Sequence, residues 1–507
     1  MELRRTPLST QAGVGEKRLP GALPSPAAPA GPGTESLDAG LNVAGYFRAE
    51  LGLGENGRLF VAAAKAAGEK VATISYGETV NRQDHPFEDE GERGAPYDIN
   101  VICVNGDKVR GFASEIGPSF FQGRYTIGLW AWELEEFPLH MRDGFEFVDE
   151  VWAISTFTAD AIRAVSPKPV FVLPPAIVKP DVHPSVERES FGVPATGFMF
   201  LFIFDFHSVM ARKNPLGLIR AFQKAFEPGE GPVLVIKTIN GHRRPGELEE
   251  LRSAAARAPN VFLLETYLAA SQCSALIAGC HCYVSLHRSE GFGLTMAEAM
   301  ALGKPVIATG YSGNLQFMSR DNSFLVGHRL VPVPPGCGPY PPGASWAEPD
   351  LEEAARLMRA VVEQPEEAAR RALKGSREVS TNHALLNRAQ LIRERLDYLR
   401  GGGRDVREPL TPALGGMSAH LSQPPGGSNP PTVYGRLGRL ARRAVIRLTR
   451  PVWLGQRAFD QLVLQALIDA QAELRTMRLQ IQALKDRTER SGDSVGSQEP
   501  IAGDSDP

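Results

Sequence analysis

At 507 residues the chain is too long for one hydrophobic core, so two domains with flanking tails are the default expectation. A net charge of only −3 gives no overall attraction to a polyanion, which argues against nucleic acid as a partner. The five cysteines, Cys103, Cys273, Cys280, Cys282 and Cys337, are odd in number and lack the paired spacing of a zinc site. They read as buried thiols of a reducing compartment. No apolar stretch reaches the length of a membrane span and no hydrophobic signal core opens the chain, so a cytoplasmic protein is expected.

Residues 1–38 are rich in Pro, Ala, Gly and Ser without periodicity, the composition of a disordered tail. Residues 39–178 read as a Rossmann-like domain. It opens with the apolar strand Leu41–Phe47, a glycine turn containing Gly52 and Gly54, and an Ala-rich helix from Gly57 to Ala67. A strand, glycine turn and helix tolerate a phosphate at the helix start. Further strands are predicted at Val71–Ser75, Asp98–Val104, Tyr125–Trp130 and Glu150–Ile154, alternating with helical or loop segments, which implies a parallel sheet covered on both faces. The carboxyl ends of such strands line the ligand crevice, and Asn105, Trp132 and Glu133 fall there as candidate acceptor contacts. For Trp132 and Glu133 an alternative stands beside that one: a core tryptophan and a carboxylate capping the following turn.

Pro174-Pro175 and the polar run 179–192 read as a linker. The second Rossmann-like domain, 193–400, begins with Phe198–Phe204, a continuous apolar run suited to a strand buried on both faces. Arg212 and Lys213 follow in a loop, then Pro215 and a helix from Leu216 to Phe226. Cations at that entry suit an anionic ligand; the alternative is a solvated basic pair. The strand Val233–Ile239 carries Lys237, a buried lysine that needs an anionic partner. Val261–Leu264 and a helix Ser271–Ile277 lead to the stretch from Ser285 to Thr309.

That stretch reads strand, glycine loop, helix, strand. Gly291 and Gly293 allow a tight turn, Leu294 to Leu302 are strong helix formers, and Gly303 and Pro305 stop them before the strand Val306–Ala308. Unpaired amides at such a helix start form a seat for a diphosphate. Glu290 and Glu298 flank that seat and would repel a diphosphate, so they suit the hydroxyls of two sugars on either side of it. The alternative is a capping carboxylate and a surface glutamate. Gly313 and Asn314, in the glycine turn after the next strand, are candidate sugar or phosphate contacts. Trp346 to Asp350 then start the closing helices, Leu351–Val362 and about Ala384–Arg400.

Glu290, seven residues, Glu298, with Gly-Phe-Gly between them and Gly303-Lys-Pro-Val-Ile-Ala after, resembles the signature of the family 4 retaining glycosyltransferases of GT-B fold. The similarity spans roughly residues 40 to 400. It implies an α/β protein whose two Rossmann-like domains face each other across a cleft. It also implies a retaining, metal-independent hexosyl transfer from a nucleotide sugar to a glycan or lipid-linked acceptor, in surface polysaccharide synthesis and without a cofactor. By the same resemblance Glu290 contacts the donor sugar and Glu298 the ribose, while Gly291, Phe292, Gly293, Leu294 and Thr295 line the diphosphate seat. Gly52 and Gly54 face the diphosphate from the other domain. The family's usual Arg and Lys pair is represented by Lys213, with His207 or Ser208 at the Arg position and Arg212 as its substitute. A histidine common at the Trp132 strand end is missing. Two rivals are a retaining hydrolase using Glu290 and Glu298, which has no need of a phosphate seat, and a catalytically silent sugar-binding or scaffold protein.

Residues 401–432 are a Pro/Gly/Ser-rich linker. In 433–490, six arginines from Arg436 to Arg450 interleave with apolar residues, and Leu467, Ala470, Leu474, Met477, Ile481 and Leu484 form a short heptad seam. Peripheral membrane contact and self-association through this helix are expected; the alternative is a solvated, partly helical tail. The remaining 491–507 form a second disordered tail, where Asp504-Ser-Asp506 mimics a metal motif by accident.

Overall fold

The computed structural model describes residues 37–91, 94–180, 182 and 188–401. The expectations for both tails, the linker 401–432 and the basic heptad segment lie outside these residues. One compact unit, Met1–Asp397, carries both sheets, and the second, Tyr398–Pro507, is described only where the last helix ends.

The first sheet is built from β1 (Asp38–Gly45), α1 (Gly52–Ala66), β2 (Val71–Ser75), β3 (Tyr97–Cys103), α2 (Gly106–Ile116), β4 (Tyr125–Trp130), α3 (Leu139–Arg142), β5 (Glu150–Ala153), α4 (Thr156–Arg163) and β6 (Val170–Val172). Its strands run parallel in the order β2-β1-β3-β4-β5-β6. Helix α1 starts five residues earlier than predicted, at Gly52 rather than Gly57, so both glycines belong to its first turn.

The second sheet uses β7 (Met199–Asp205), α5 (Met210–Lys213), α6 (Pro215–Ala225), β8 (Val233–Ile239), α7 (Pro245–Ala256), β9 (Val261–Leu264), α8 (Ala270–Gly279), β10 (Cys282–Ser285), α9 (Leu294–Ala301), β11 (Val306–Thr309) and β12 (Phe324–Val326). The order is β12-β11-β10-β7-β8-β9, again parallel. The order reverses between β7 and β10, and a ligand crevice forms outside the carboxyl ends of strands at such a switch point. Phe200, Phe202, Phe204, Phe206, Phe222 and Phe226 fill the core beneath it.

The largest departures from expectation follow β12. Residues 346–350 do not begin a helix: β13 (His328–Pro332) and β14 (Ser345–Pro349) form an antiparallel hairpin, and Asp350 caps α10 (Leu351–Glu363) through bonds from the Glu352 and Glu353 amides. Helix α11 (Pro365–Asn382) was not predicted, and α12 (Leu385–Arg400) follows it. The hairpin reaches from the second sheet into the core of the first, where Val333, Cys337, Tyr340, Ala344 and Trp346 pack with Trp130, Trp132 and Phe137.

Helix α12 returns to the first sheet. Arg393 donates to the Ala67 carbonyl at 2.9 Å through Nε, and Arg395 grips the fully buried Glu150 of β5 through Nε at 2.9 Å and through Nη2. Trp152 Nε1 donates to the same carboxylate at 2.5 Å and the Tyr125 hydroxyl at 3.3 Å.

Candidate active site

The switch point puts the carboxyl ends of β7 and β10 side by side. After β7 the chain passes through Val209 at φ 63°, a left-handed conformation that a β-branched residue adopts only under strain. Helix α5 follows and carries Arg212 and Lys213. The loop after β10 is bound to α5 by the Arg288 amide, which donates to the Arg212 carbonyl at 2.7 Å, and by Asn214 Nδ2, which donates to the Leu286 carbonyl at 2.9 Å. Glu290 thereby meets both cations. Lys213 Nζ lies 2.5 Å from its Oε1 and Arg212 Nη1 3.2 Å from its Oε2, while Arg212 also donates to the Ser289 carbonyl at 2.6 Å. Burial alone would push the Glu290 carboxyl up, but Lys213 and then Arg212 outweigh it and bring it down to about 2. The group is a carboxylate at any physiological pH.

Directly beyond, the amides of Gly291, Phe292, Gly293, Leu294 and Thr295 donate to no backbone carbonyl among the described residues. They lead into α9, whose N-terminal end bears positive partial charge. Gly293 has φ 97°, and a Cβ there would fall 2.3 Å from Met296 Cε, so the turn requires glycine. Lys237 is buried on β8 and has no hydrogen-bond or ion-pair partner among the described residues; burial lowers its pKa. The start of α9, directly after Glu290, is a place where a helix favours an anion.

Glu298, on α9, has a deeply set carboxyl although the residue keeps some exposed surface. Burial first, and Glu55 of α1 second, raise its pKa to about 7. A folded-state value above the ordinary 4.5 favours the fold at low pH, and that contribution is lost as pH rises through 7. Glu298→Gln should therefore raise the melting temperature at pH 8 but not at pH 4, by an equivalent of about 2 kcal/mol after allowance for partial solvation. Parallel pH–stability curves for the two proteins would remove Glu298 from this role.

Several sequence-predicted residues serve the site from behind. The Gly313 amide donates to the Glu290 carbonyl at 2.9 Å, and a Cβ on Gly313 would lie 2.0 Å from the Gly291 carbonyl oxygen, so close packing requires glycine there. Asn314 is fully buried, donates to the Thr309 carbonyl at 3.0 Å and meets His287 Nε2 at 3.3 Å. Phe292 is buried against Phe317 at 4.9 Å between ring centres. Thr295 accepts the Tyr283 hydroxyl at 2.8 Å, and Leu294 is half-buried at the first position of α9. Gly54 is required because a Cβ would lie 2.6 Å from the carbonyl oxygens of Tyr46 and Ala49, whereas Gly52 faces open space.

On the opposite wall, Trp132 is buried in the core. Its ring is buried 5.5 Å from Tyr340 and its Nε1 donates to the Glu136 carbonyl at 2.9 Å. Asn105 Oδ1 accepts from the Ala131 amide at 2.9 Å and organises the loop. Glu133 stays half-buried at the site, where its carboxylate takes the Tyr340 hydroxyl. The two sheets meet here: Ser155 Oγ donates to the Gly291 carbonyl at 2.6 Å and Ser289 Oγ to the Glu133 carbonyl.

Sequence reasoning gave no role to Tyr340, Ser289, His287 or Ser312, whereas Ser155 falls at a strand end that the sequence places on the crevice. Of those four only Tyr340, a lone aromatic in a Pro/Gly run, carried any signal. His287 is fully buried between Ser285 Oγ at 3.0 Å and Asn314, and burial brings it down to about 4, so the imidazole is neutral.

Residues 185–330 match the family model described as glycosyl transferases group 1. The fold is that of GT-B glycosyltransferases. The Anabaena protein HepE, solved with UDP-glucose, superposes with a TM-score of 0.54 at 18% identity, covering 71% of this chain and 100% of its own. Sucrose-phosphate synthase from Thermosynechococcus elongatus gives 0.52 at 15% identity, covering 72% and 100%. A glycosyltransferase from Rickettsia africae gives 0.50 at 14% identity, covering 72% and 99%. No curated protein matches by sequence.

Proposed function

We propose that this chain is a retaining glycosyltransferase that moves a hexose from a nucleoside-diphosphate sugar to a glycan or lipid-linked acceptor in surface polysaccharide synthesis. The observation that carries the reading is Glu290, a carboxylate held by Lys213 and Arg212, next to a run of unengaged amides at the start of α9. The amides and Lys237 would receive the diphosphate, and Glu290 a hydroxyl of the sugar beside it. Charge developing on the leaving diphosphate would be met by Lys213 and Lys237, the electrostatic effect that dominates such chemistry. Retention, with the leaving phosphate taking the acceptor proton, follows the family resemblance. A catalytically silent sugar-binding protein is the rival reading.

The test is a panel of UDP-glucose, UDP-N-acetylglucosamine, GDP-mannose and dTDP-rhamnose, scored by thermal shift and by release of nucleoside diphosphate. UDP-glucose is placed first because HepE was solved with it. One donor should stabilise the protein and turn over equally well in EDTA; binding without turnover would favour the silent rival, and loss of turnover in EDTA would overturn metal independence. Among the described residues no helix is long and apolar enough to cross a membrane. Peripheral binding to an anionic surface and self-association are assigned to 433–490. Deletion of 434–490 should keep turnover while reducing both sedimentation with anionic vesicles and oligomer mass, and unchanged values of both would sink the assignment.

A further inference from the structure

The loop after β11 contains one of the four non-glycine residues that adopt a positive φ among the described residues. Ser312 has φ 78° and ψ −147°, a region that only glycine enters freely. Its neighbours give no reason for a side chain: the residue is 5% exposed, and glycine would adopt the same backbone without strain. What the serine adds is its hydroxyl. Oγ accepts the Glu290 amide at 2.8 Å and donates to the Tyr311 carbonyl at 2.5 Å.

The adjacent Gly313 amide donates to the Glu290 carbonyl at 2.9 Å, so the loop holds the Glu290 backbone from its amide and its carbonyl alike. Gly313 can approach this closely only because it has no Cβ. With the backbone held at both points, the Glu290 Cα–Cβ bond is fixed in direction, and the side chain ends on Lys213 and Arg212. Those two sit on α5, which is itself entered through the strained Val209. Strain persists where surrounding structure over-determines it, and here it lies on both sides of one ion-paired carboxylate.

We infer that Ser312 is a positioning residue for Glu290, retained in a conformation suited to glycine because its hydroxyl sets the direction of that carboxylate. The inference rests on the reading of Glu290 as the group that contacts the donor sugar.

Two variants separate the hydroxyl from the backbone. Ser312→Gly removes both hydroxyl and strain; Ser312→Ala removes the hydroxyl and keeps the strain. Ser312→Gly should melt at or above the wild-type temperature and Ser312→Ala below it. Both should lose about tenfold in kcat for the donor that the wild type turns over, the weight of one oriented hydrogen bond, with donor KM unchanged. A merely structural serine would lose stability and turnover together. In the crystal structure of Ser312→Gly, the Glu290 carboxylate should have moved away from Lys213 Nζ. Wild-type kcat in Ser312→Gly, or an unmoved carboxylate, overturns the inference. If the wild type turns over none of the four donors, the glycosyl-transfer reading fails, while the position of Glu290 in the variant crystal still decides the role of Ser312.

Discussion

Glu290→Gln should reduce sugar transfer by about a thousandfold or more while nucleoside diphosphate binds as tightly as before, or more tightly. The amide is nearly the same size, so the loop keeps its shape. The charge does not survive. Arg212 is 4% exposed and, among the described residues, Lys213 pairs with this carboxylate alone, so the variant holds two cations without the counter-charge in direct contact with them. Breaking a buried pair in this way costs roughly 3 to 5 kcal/mol. A bound diphosphate supplies the missing negative charge, so UDP should raise the melting temperature more in the variant than in the wild type. Calorimetry with UDP, beside Arg212→Ala with Lys213→Ala, divides the roles: the double variant should lose both binding and turnover. Equal loss of nucleotide affinity in Glu290→Gln and the double variant would contradict the assignment.

The pH dependence has a definite sign. The Glu290 carboxyl sits at about 2 in the folded protein, below its ordinary 4.5. The stability it contributes is complete above 4.5 and is lost as pH falls toward 2, an amount on the order of 3 kcal/mol. Glu290→Gln should lack this acid limb.

Arg395→Ala should be the most destabilising single change away from the site. Among the described residues it leaves Glu150, with no exposed surface, to Trp152 Nε1 and the Tyr125 hydroxyl. The expected loss is about 3 to 5 kcal/mol by denaturant titration. Glu150→Gln together with Arg395→Met should recover much of it, because no buried charge is then left unpaired. A loss below about 1 kcal/mol in Arg395→Ala would mean that water reaches Glu150.

Four strands were legible to the residue: Val71–Ser75, Tyr125–Trp130, Val233–Ile239 and Val261–Leu264 are short segments rich in β-branched, aromatic and aliphatic residues. Helix α1 was read short because Gly52 and Gly54 look like a loop, yet Gly54 is there to let the helix close on the Tyr46 and Ala49 carbonyls. Helix α11 escaped notice because the residues it buries, Ala368, Ala372, Gly375 and Val379, are small and give little hydrophobic contrast. The β13–β14 hairpin was hidden by its Pro/Gly-rich turn and by Asp350, a true helix cap that made the strand before it look like a helix entry.

The glycine loop and Glu290 were legible because chemistry restricts which residues can form them. The groups that hold Glu290 were not. Lys213 and Glu290 are 77 positions apart, and a serine at 312 or a histidine at 287 carries no sequence pattern that says what it touches.

The hairpin also limits how this chain could be recombined. Tyr340 and Trp346 belong to the sequence of the second half but to the hydrophobic core of the first. A chimaera joined in the linker would bring a foreign first half against a hairpin shaped for Trp130, Trp132 and Phe137. The functional module for exchange is therefore discontinuous: residues 328–349 must travel with 37–178, although nearly 150 positions lie between them.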